Sequence, residues 1–416
     1  MPDRLAARNL LASYIVDKKI PIPLSRFEKK DKVRKMFNNL YTATSDGWST
    51  ADECKTATIS WKTNDYQFAI GPLLGATSLG HYGNDISNAF QISNRHNCGG
   101  YDRLSPSAVW FNKQLLSKML NSIWSFSSRS PNASLSLSGY RAAFRNSASA
   151  YTAAQFKVAA ARELFTHIGA SPVTSILDFS CGWGDRLAGV YVTKSCIRYV
   201  GTDPNKDTWN TYMEQCRTYD YWRFLSVFGE IHRSRYEKPE IVVNETHFVV
   251  TPKYAGGVHV TIYCLPAEDI NWLACYRDQP LADLVFTSCP YFSTERYAQG
   301  TAHENLQSWR RYTTANDWHE KFLFATMRNV TACVRSGGQI AINIMDATVH
   351  KIRVRTCDAL FEFMKRQEDV VYKGYIALRM KQAPTSRSAT EEKKKKHWET
   401  WRAEPIFVWE KRVYNL

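Results

Sequence analysis

Two turns in this chain combine residue types that do chemistry. The first is Ile176-Leu-Asp178-Phe-Ser180-Cys-Gly182-Trp-Gly184-Asp-Arg-Leu187. An apolar run ends in an acid, small residues and two glycines follow, and a helix-forming run begins. Glycines let the backbone turn sharply and let a ligand approach with no Cβ in the way. About 25 residues on, Tyr199-Val-Gly-Thr-Asp203 ends a second apolar run in another acid. A carboxylate there accepts hydrogen bonds from both hydroxyls of a ribose. The spacing differs from the six-residue Gly-x-Gly-x-x-Gly fingerprint of dinucleotide sites. This turn therefore offers closeness and a carboxylate rather than a phosphate cradle. The second turn is Ser288-Cys289-Pro290-Tyr291-Phe292, after the strand-like run Asp283 to Thr287. It falls at the carboxyl end of its strand, the side on which α/β sheets bind ligands. Taken singly, each turn also reads as an ordinary strand end with a packed aromatic.

Together the two turns resemble those of S-adenosylmethionine-dependent amino-methyltransferases. Ser288 to Phe292 is similar to their [Asp/Asn/Ser]-Pro-Pro-[Tyr/Phe/Trp] motif, which serves methylation of the exocyclic amino group of adenine or cytosine. The lone pair of that nitrogen is delocalised into the ring, so it is a poor nucleophile. The resemblance implies that Ser288 and the carbonyls of the turn accept its N–H hydrogens and aim the lone pair at the methyl group. It also implies that Tyr291 stacks on the base, a contact worth about 1–3 kcal/mol in single-strand binding. In a duplex the base would first be flipped out. Cys289 stands where the family has its first proline, which keeps a carbonyl but loses rigidity. A covalent role for Cys289, as in enzymes that methylate cytosine carbon, is the alternative for that residue.

The likeness to phage- and virus-type DNA methylases runs from about 150 to 410. It includes Trp318-His-Glu-Lys-Phe322, Gly337-Gly-Gln-Ile-Ala-Ile-Asn-Ile344 and Glu404-Pro-Ile-Phe-Val408. Upstream, Ala154-Gln-Phe156-Lys157 is similar to the segment that folds over the cofactor, and Glu268 with Asp269 follows the third strand where the adenine ring would lie. The implied cofactor residues are Phe156, Lys157, Asp178, Ser180, Gly182, Gly184, Asp203, Glu268 and Asp269. The implied catalytic residues are Ser288, Cys289, Pro290, Tyr291 and Phe292, and no metal is expected. Methylation of a protein side-chain amide, and a nucleic-acid-binding subunit of weak activity, are the competing readings.

Positioning these turns requires alternating strands and helices. Helices are expected over Tyr151 to Ile168, Asp185 to Val192, 206–217 and Trp318 to Val334. Strands are expected over Ser175 to Asp178, Ile197 to Gly201, His259 to Tyr263, Leu284 to Thr287, Gln339 to Ile344 and Pro405 to Trp409. This rhythm predicts an α/β fold, a mostly parallel Rossmann-like class I methyltransferase sheet with helices on both faces, spanning 141–416. Residues 1–140 read as an α+β extension. It holds a charged helix within Ser25 to Tyr41, strands around Asn64-Asp65, a glycine-punctuated loop region over 75–100 and a helix over Leu115 to Phe126. A boundary is expected at Pro131 to Ser138.

The chain has 416 residues, 44% of them apolar, enough for a large core. The formal net charge of +15 favours a polyanionic partner, DNA or RNA. Arg296, Arg310, Arg311, the basic run Lys393 to Lys396 and the rings of Trp309 and Tyr312 are candidates to contact it. No apolar run reaches the ~20 residues of a membrane span, and no secretory leader is recognisable, so an intracellular, soluble protein is expected. The ten cysteines contain no Cys-x-x-Cys pair, and His96 with Cys98 lacks a second pair of ligands. Nothing in the sequence fixes an oligomeric state.

Overall fold

Along the central strands, neighbouring residues send apolar side chains to opposite faces. Ile176, Tyr199, Leu284, Phe286 and Ala341 enter one core, and Leu177, Val200, Val285, Ile340 and Ile342 enter another. Both faces are therefore covered, as a parallel sheet requires. The computed structural model describes residues 2–22, 30–43, 47–55, 58–61, 66–77, 82–127, 150–169, 171–277, 279–380 and 400–413. The expected boundary at Pro131 to Ser138, the Asn64-Asp65 turn and the lysine run lie outside the described residues.

Twelve strands form one sheet. They are β1 (Ser49–Thr50), β2 (Thr58–Trp61), β3 (Leu73–Ala76), β4 (Ser175–Asp178), β5 (Arg198–Thr202), β6 (Glu240–Val243), β7 (His247–Thr251), β8 (His259–Tyr263), β9 (Ala282–Ser288), β10 (Val334–Asn343), β11 (Val370–Arg379) and β12 (Thr400–Lys411). Their order is β1-β3-β11-β12-β10-β9-β4-β5-β8-β7-β6, with β2 beside β12. The five strands β10-β9-β4-β5-β8 are parallel, and β12 runs antiparallel between β10 and β11. From β4 the chain winds outward to β8, then returns to β9 on the other side of β4. This is a doubly wound, Rossmann-like arrangement. Its switch point lies between β4 and β9, where a crevice opens at the strands' carboxyl ends.

One face carries α2 (Lys30–Thr42), α3 (Asn84–His96), α5 (Val158–His167), α6 (Asp185–Val192) and α7 (Lys206–Phe228). The other carries a π-helical turn at Trp318–Phe324, α8 (Ala325–Ala332) and α9 (Thr356–Lys365). Helices α1 (Pro2–Asp17) and α4 (Lys113–Ser127) build a satellite core around Ile15, Trp110, Leu116 and Leu120. The N-terminal region also reaches the main sheet, because β3 pairs with β11 and β2 with β12.

Four expectations are corrected. The sheet is more mixed than expected, since the β6–β7 hairpin adds antiparallel strands at one edge and β12 inserts antiparallel, while β3 and β2 pair parallel with β11 and β12. The helix expected from Tyr151 begins only at Val158, because side chains take the backbone groups it would need. Ala154 N donates to Glu295 at 2.8 Å, Ala153 O accepts from Arg95 at 2.8 Å and Ala154 O accepts from Trp183 at 3.0 Å. The region 75–100, read as loops, contains α3, whose buried face carries Ser87, Asn88 and Gln91 beside Ile86, Ala89 and Ile92. Finally, the strand expected from Gln339 already begins at Val334, so Gly337-Gly338 is part of it. There Gly337 has φ +71° and the register against β9 shifts.

Close packing of β4 against β5 leaves no room beside Gly201. A Cβ there would lie 2.4 Å from Cys181 Sγ and 2.9 Å from the Asp178 carbonyl. Gly201→Ala is expected to cost about 1–3 kcal/mol of stability by overpacking, read as a lower urea midpoint at unchanged slope.

Candidate active site

The cofactor-type turn is held from inside. Asp178 is fully buried, and its carboxylate accepts from Arg186 Nε at 2.7 Å, Tyr199 OH at 2.8 Å, Thr287 Oγ1 at 2.8 Å and Ser180 N at 3.2 Å. One side chain thus joins the ends of β4, β5 and β9 to helix α6. Burial disfavours the charge on Arg186, but the adjoining Asp178 carboxylate outweighs it and holds the guanidinium firmly protonated. Arg186 also donates to the Ser180 carbonyl, which shapes the turn. Gly184, at φ +73°, caps α6, and a Cβ on it would strike the Gln215 side chain at 2.6 Å. Gly182 is also left-handed, at φ +63°, yet a Cβ there would meet nothing nearer than 3.7 Å. Its Cα borders open space.

That space is two cavities sharing a wall. The first is bordered by Ser180, Gly182, Trp183, Asp203, Pro204, Glu268, Ser288, Pro290, Tyr297, Gln307 and Phe322, among others. The second is bordered by Gln155, Phe156, Lys157, Gly182, Trp183, Arg186, Ser288, Cys289, Tyr291, Tyr297, Asn343 and Glu404, among others. Gly182, Trp183, Ser288 and Tyr297 belong to both. Asp178 borders neither, so its role is to build the turn rather than to touch a ligand.

In the first cavity, Asp203 accepts from Asn205 N at 2.9 Å and from Tyr212 OH at 3.0 Å. Burial pushes its carboxyl up to about 7, against the lowering effect of those two hydrogen bonds. The Tyr212 hydroxyl also faces the Gly182 carbonyl. A phenol has one proton, so Tyr212 donates to Asp203 or to the Gly182 carbonyl, not to both at once. Glu268 lies at the opposite rim with its side chain 4% exposed, and burial raises its carboxyl. Arg311 pairs with Glu268 at 2.6 Å and with Asp269 at 2.9 Å. The segment from Tyr297 to Arg311 is anchored here: Arg311 pairs with these acids, Arg310, still half exposed, pairs with Glu304 at 3.5 Å, and Tyr297, Leu306, Gln307 and Ser308 line the first cavity. Arg296 lies over the Trp309 ring at 5.4 Å, and Trp309 donates to the Tyr297 carbonyl at 3.0 Å.

The second turn is built around Asn343, at the end of β10. Asn343 Nδ2 donates to Pro405 O at 3.1 Å, which leaves Oδ1 to accept from Ser288 at 3.0 Å and Tyr291 at 3.3 Å. Tyr291 OH also reaches Glu404 Oε2 at 3.4 Å. Burial, and then Glu404, keep the Tyr291 phenol protonated. Ser288 spends its only proton on Asn343, so its lone pairs remain to accept a hydrogen bond. Cys289 N donates to Asn343 O at 3.2 Å, a bond that a proline at this position could not make. Burial pushes the Cys289 thiol far up, which removes the thiolate that a covalent role needs. Phe292 borders neither cavity. It turns the chain at φ +49° and packs against Trp318 at 6.0 Å.

Phe156 and Lys157 face the second cavity rather than the first. Phe156 packs edge-on against Phe286 at 5.4 Å, and Lys157 donates to the Arg379 carbonyl. Burial lowers the Lys157 ammonium to about 8, against the pull of Glu404 and Glu163. Glu295 stitches the loop after the second turn to the N-terminal region. It accepts from Tyr151 OH at 2.9 Å and Ala154 N at 2.8 Å, and Glu295–Arg296 pairs antiparallel with Gly99–Gly100. Sequence reasoning missed Asn343, Glu404, Tyr212 and Arg186 as site residues. Only the burial of a polar residue in an apolar strand marks the first of these. Among the described residues no group of histidine, cysteine or acidic side chains is placed to hold a metal ion, and no helix is long and apolar enough to cross a membrane.

No family model and no curated protein matches the chain. Solved structures that match include a putative rRNA methylase from Clostridium thermocellum, 12% identical over 58% of this chain and 88% of that one, with a TM-score of 0.28. TrmN from Thermus thermophilus is 11% identical over 62% of this chain and 49% of that one, at a TM-score of 0.31. A putative O-methyltransferase from Klebsiella pneumoniae is 11% identical over 63% and 83%, at 0.34. At such distances the chemistry of the site must be read from its own residues.

The raised carboxyl of Asp203 has a stability consequence. Between its ordinary range near 4 and about 7 the folded state binds the proton that the unfolded state has released, so stability falls as pH rises through that window. Asp203→Asn, which keeps both hydrogen-bond partners, is expected to be more stable than the parent at pH 8 and equal to it near pH 4, measured by urea unfolding at each pH.

Proposed function

We propose that this chain is an S-adenosylmethionine-dependent methyltransferase acting on the exocyclic amino group of adenine or cytosine in DNA or RNA. The observation that carries the reading is Ser288, in the wall common to the two cavities, with its proton committed to Asn343 and its lone pairs available. The first cavity suits the cofactor. Among the described residues its lining holds the acids Asp203 and Glu268 and no lysine or arginine, which suits a ligand that carries hydroxyls and positive charge and lacks phosphate. Asp203 would take the ribose hydroxyls, and Gly182 would let the ligand lie against the backbone. When bound, the cofactor supplies a methyl group on a positively charged sulfur.

The second cavity would take the base. Ser288 Oγ and the carbonyls of the turn accept the N–H hydrogens of the amino group and turn its lone pair out of the ring. Tyr291, pinned through its hydroxyl by Asn343 and Glu404, offers a ring of fixed orientation. The gain comes from holding the reacting atoms in line. The net charge of +15 supports a polyanionic substrate.

Calorimetry with S-adenosylmethionine tests the first half. Affinity is expected to rise with pH through about 7, because only the ionised Asp203 accepts from both hydroxyls, and Asp203→Ala is expected to lose at least about tenfold. A parent protein that binds no cofactor would sink the proposal. Transfer of labelled methyl onto DNA, RNA and protein pools, followed by nucleoside mass spectrometry, tests the second half. The expected product is N6-methyladenine or N4-methylcytosine, whereas label confined to protein would favour a side-chain amide. Ser288→Ala is expected to lower turnover about 10²-fold with cofactor affinity unchanged.

A further inference from the structure

Beyond Asn343 the chain forms a short hairpin at the carboxyl end of β10, Ala347–Val349 paired with Ile352–Val354. Its two loop residues, His350 and Lys351, are both left-handed, at φ 49° and 64°. Two successive positive φ values define the type that asparagine-glycine fills without strain. Here two full side chains hold the turn instead, and strain of this kind persists where the surroundings enforce it. His350, Lys351 and Ile352 are all exposed, Ile352 to 69%.

The base of this hairpin is rigid. The Asp346 side chain, wholly buried, pairs with Arg353 at 2.7 Å and accepts from Cys357 N at 2.9 Å, which locks the hairpin to the start of α9. Its base follows the strand end that borders the second cavity. Asn343, three residues before Asp346, borders that cavity. From the other side, the His350 ring stands edge-on to Tyr101 at 5.4 Å. Tyr101 follows Gly99–Gly100, the strand paired with Glu295–Arg296, and Glu295 also borders the cavity.

We propose that His350, Lys351 and Ile352 contact the nucleic-acid strand beside the base being methylated, Lys351 at a phosphate and Ile352 against the neighbouring base. This inference rests on the proposed function. Proteins that take a base out of its stack hold the backbone with cations and place apolar side chains against the disturbed step. A rigid arm with a basic and apolar tip, rising from the strand end that borders the cavity meant for the base, supplies both.

The test uses the full chain with H350N/K351G, which keeps the turn type, and separately I352S. Binding of a labelled mixed-sequence DNA duplex and of a mixed-sequence RNA is followed by anisotropy over a range of salt. Turnover is measured on whichever polymer the parent methylates. H350N/K351G is expected to bind about fivefold more weakly, with the slope of log affinity against log salt shallower by about 0.7–0.9, one phosphate contact. I352S is expected to lower turnover about tenfold at nearly unchanged binding. Both variants are expected to keep the parent's cofactor affinity, I352S at the parent's urea midpoint and H350N/K351G at one no lower, so a loss of binding or turnover does not come from a weakened fold. Parent-like salt slope and turnover in both variants would overturn the inference and leave the functional reading standing. A parent protein that binds neither polymer would overturn that reading, and the inference with it.

Discussion

The buried pair of Asp178 and Arg186 is the constraint on which the site depends. Two opposite charges taken out of water are stable only when every remaining lone pair and N–H is used. Here the partners that use them are Tyr199 on β5, Thr287 on β9 and the backbone of the turn itself. Satisfying one carboxylate therefore fixes the relative height of three strand ends and the start of α6. Gly182, Asp203 and Ser288 are held in mutual position because each lies within a few residues of a group bound to Asp178.

The two cavities are differentiated chemically around this anchor. The first is acid-lined and roofed by the loop that follows the second turn, so a ligand there and the loop's conformation are coupled through Arg311, Glu268 and Asp269. The second holds a mixed set of polar groups, among them Lys157, Arg186, Asn343 and Glu404, organised from four different strands and helices. Ser288 faces both. A transfer between two ligands needs an element of this kind, which neither ligand alone would require.

Much of this was legible in the sequence because its signals are local. Short apolar runs ending in acid or serine, followed by glycine or proline, marked β4, β5, β9 and their turns. The parts that were not legible depend on distant partners. Residues 151–157 look helical until Glu295, Arg95 and Trp183 claim their backbone groups. Helix α3 lies between the glycines that read as loop, and its buried Gln91 is satisfied only by the distant Gln215 and Thr208. The continuation of α7 to Phe228 is apolar or aromatic on nearly every side, so no polar face announces it. Phe292 sits inside the motif by sequence and inside the core by structure, a distinction that only packing can draw. Asn343 and Glu404 carry no motif of their own, and their importance appears only where β10 and β12 lie side by side.

The insertion of β12 has a consequence for how the protein is made. This strand is the last described element of the chain, yet it sits between β10 and β11 rather than at an edge. Until it is synthesised, β10 and β11 each present a row of unpaired backbone groups, open to pairing with another chain. A polypeptide emerging from the ribosome carries every glycine and acid of the first cavity long before Glu404 and Pro405 exist to orient Tyr291 and Asn343. The first cavity can thus be assembled before the second is complete, and the nascent chain stays exposed to misassembly until β12 is threaded home.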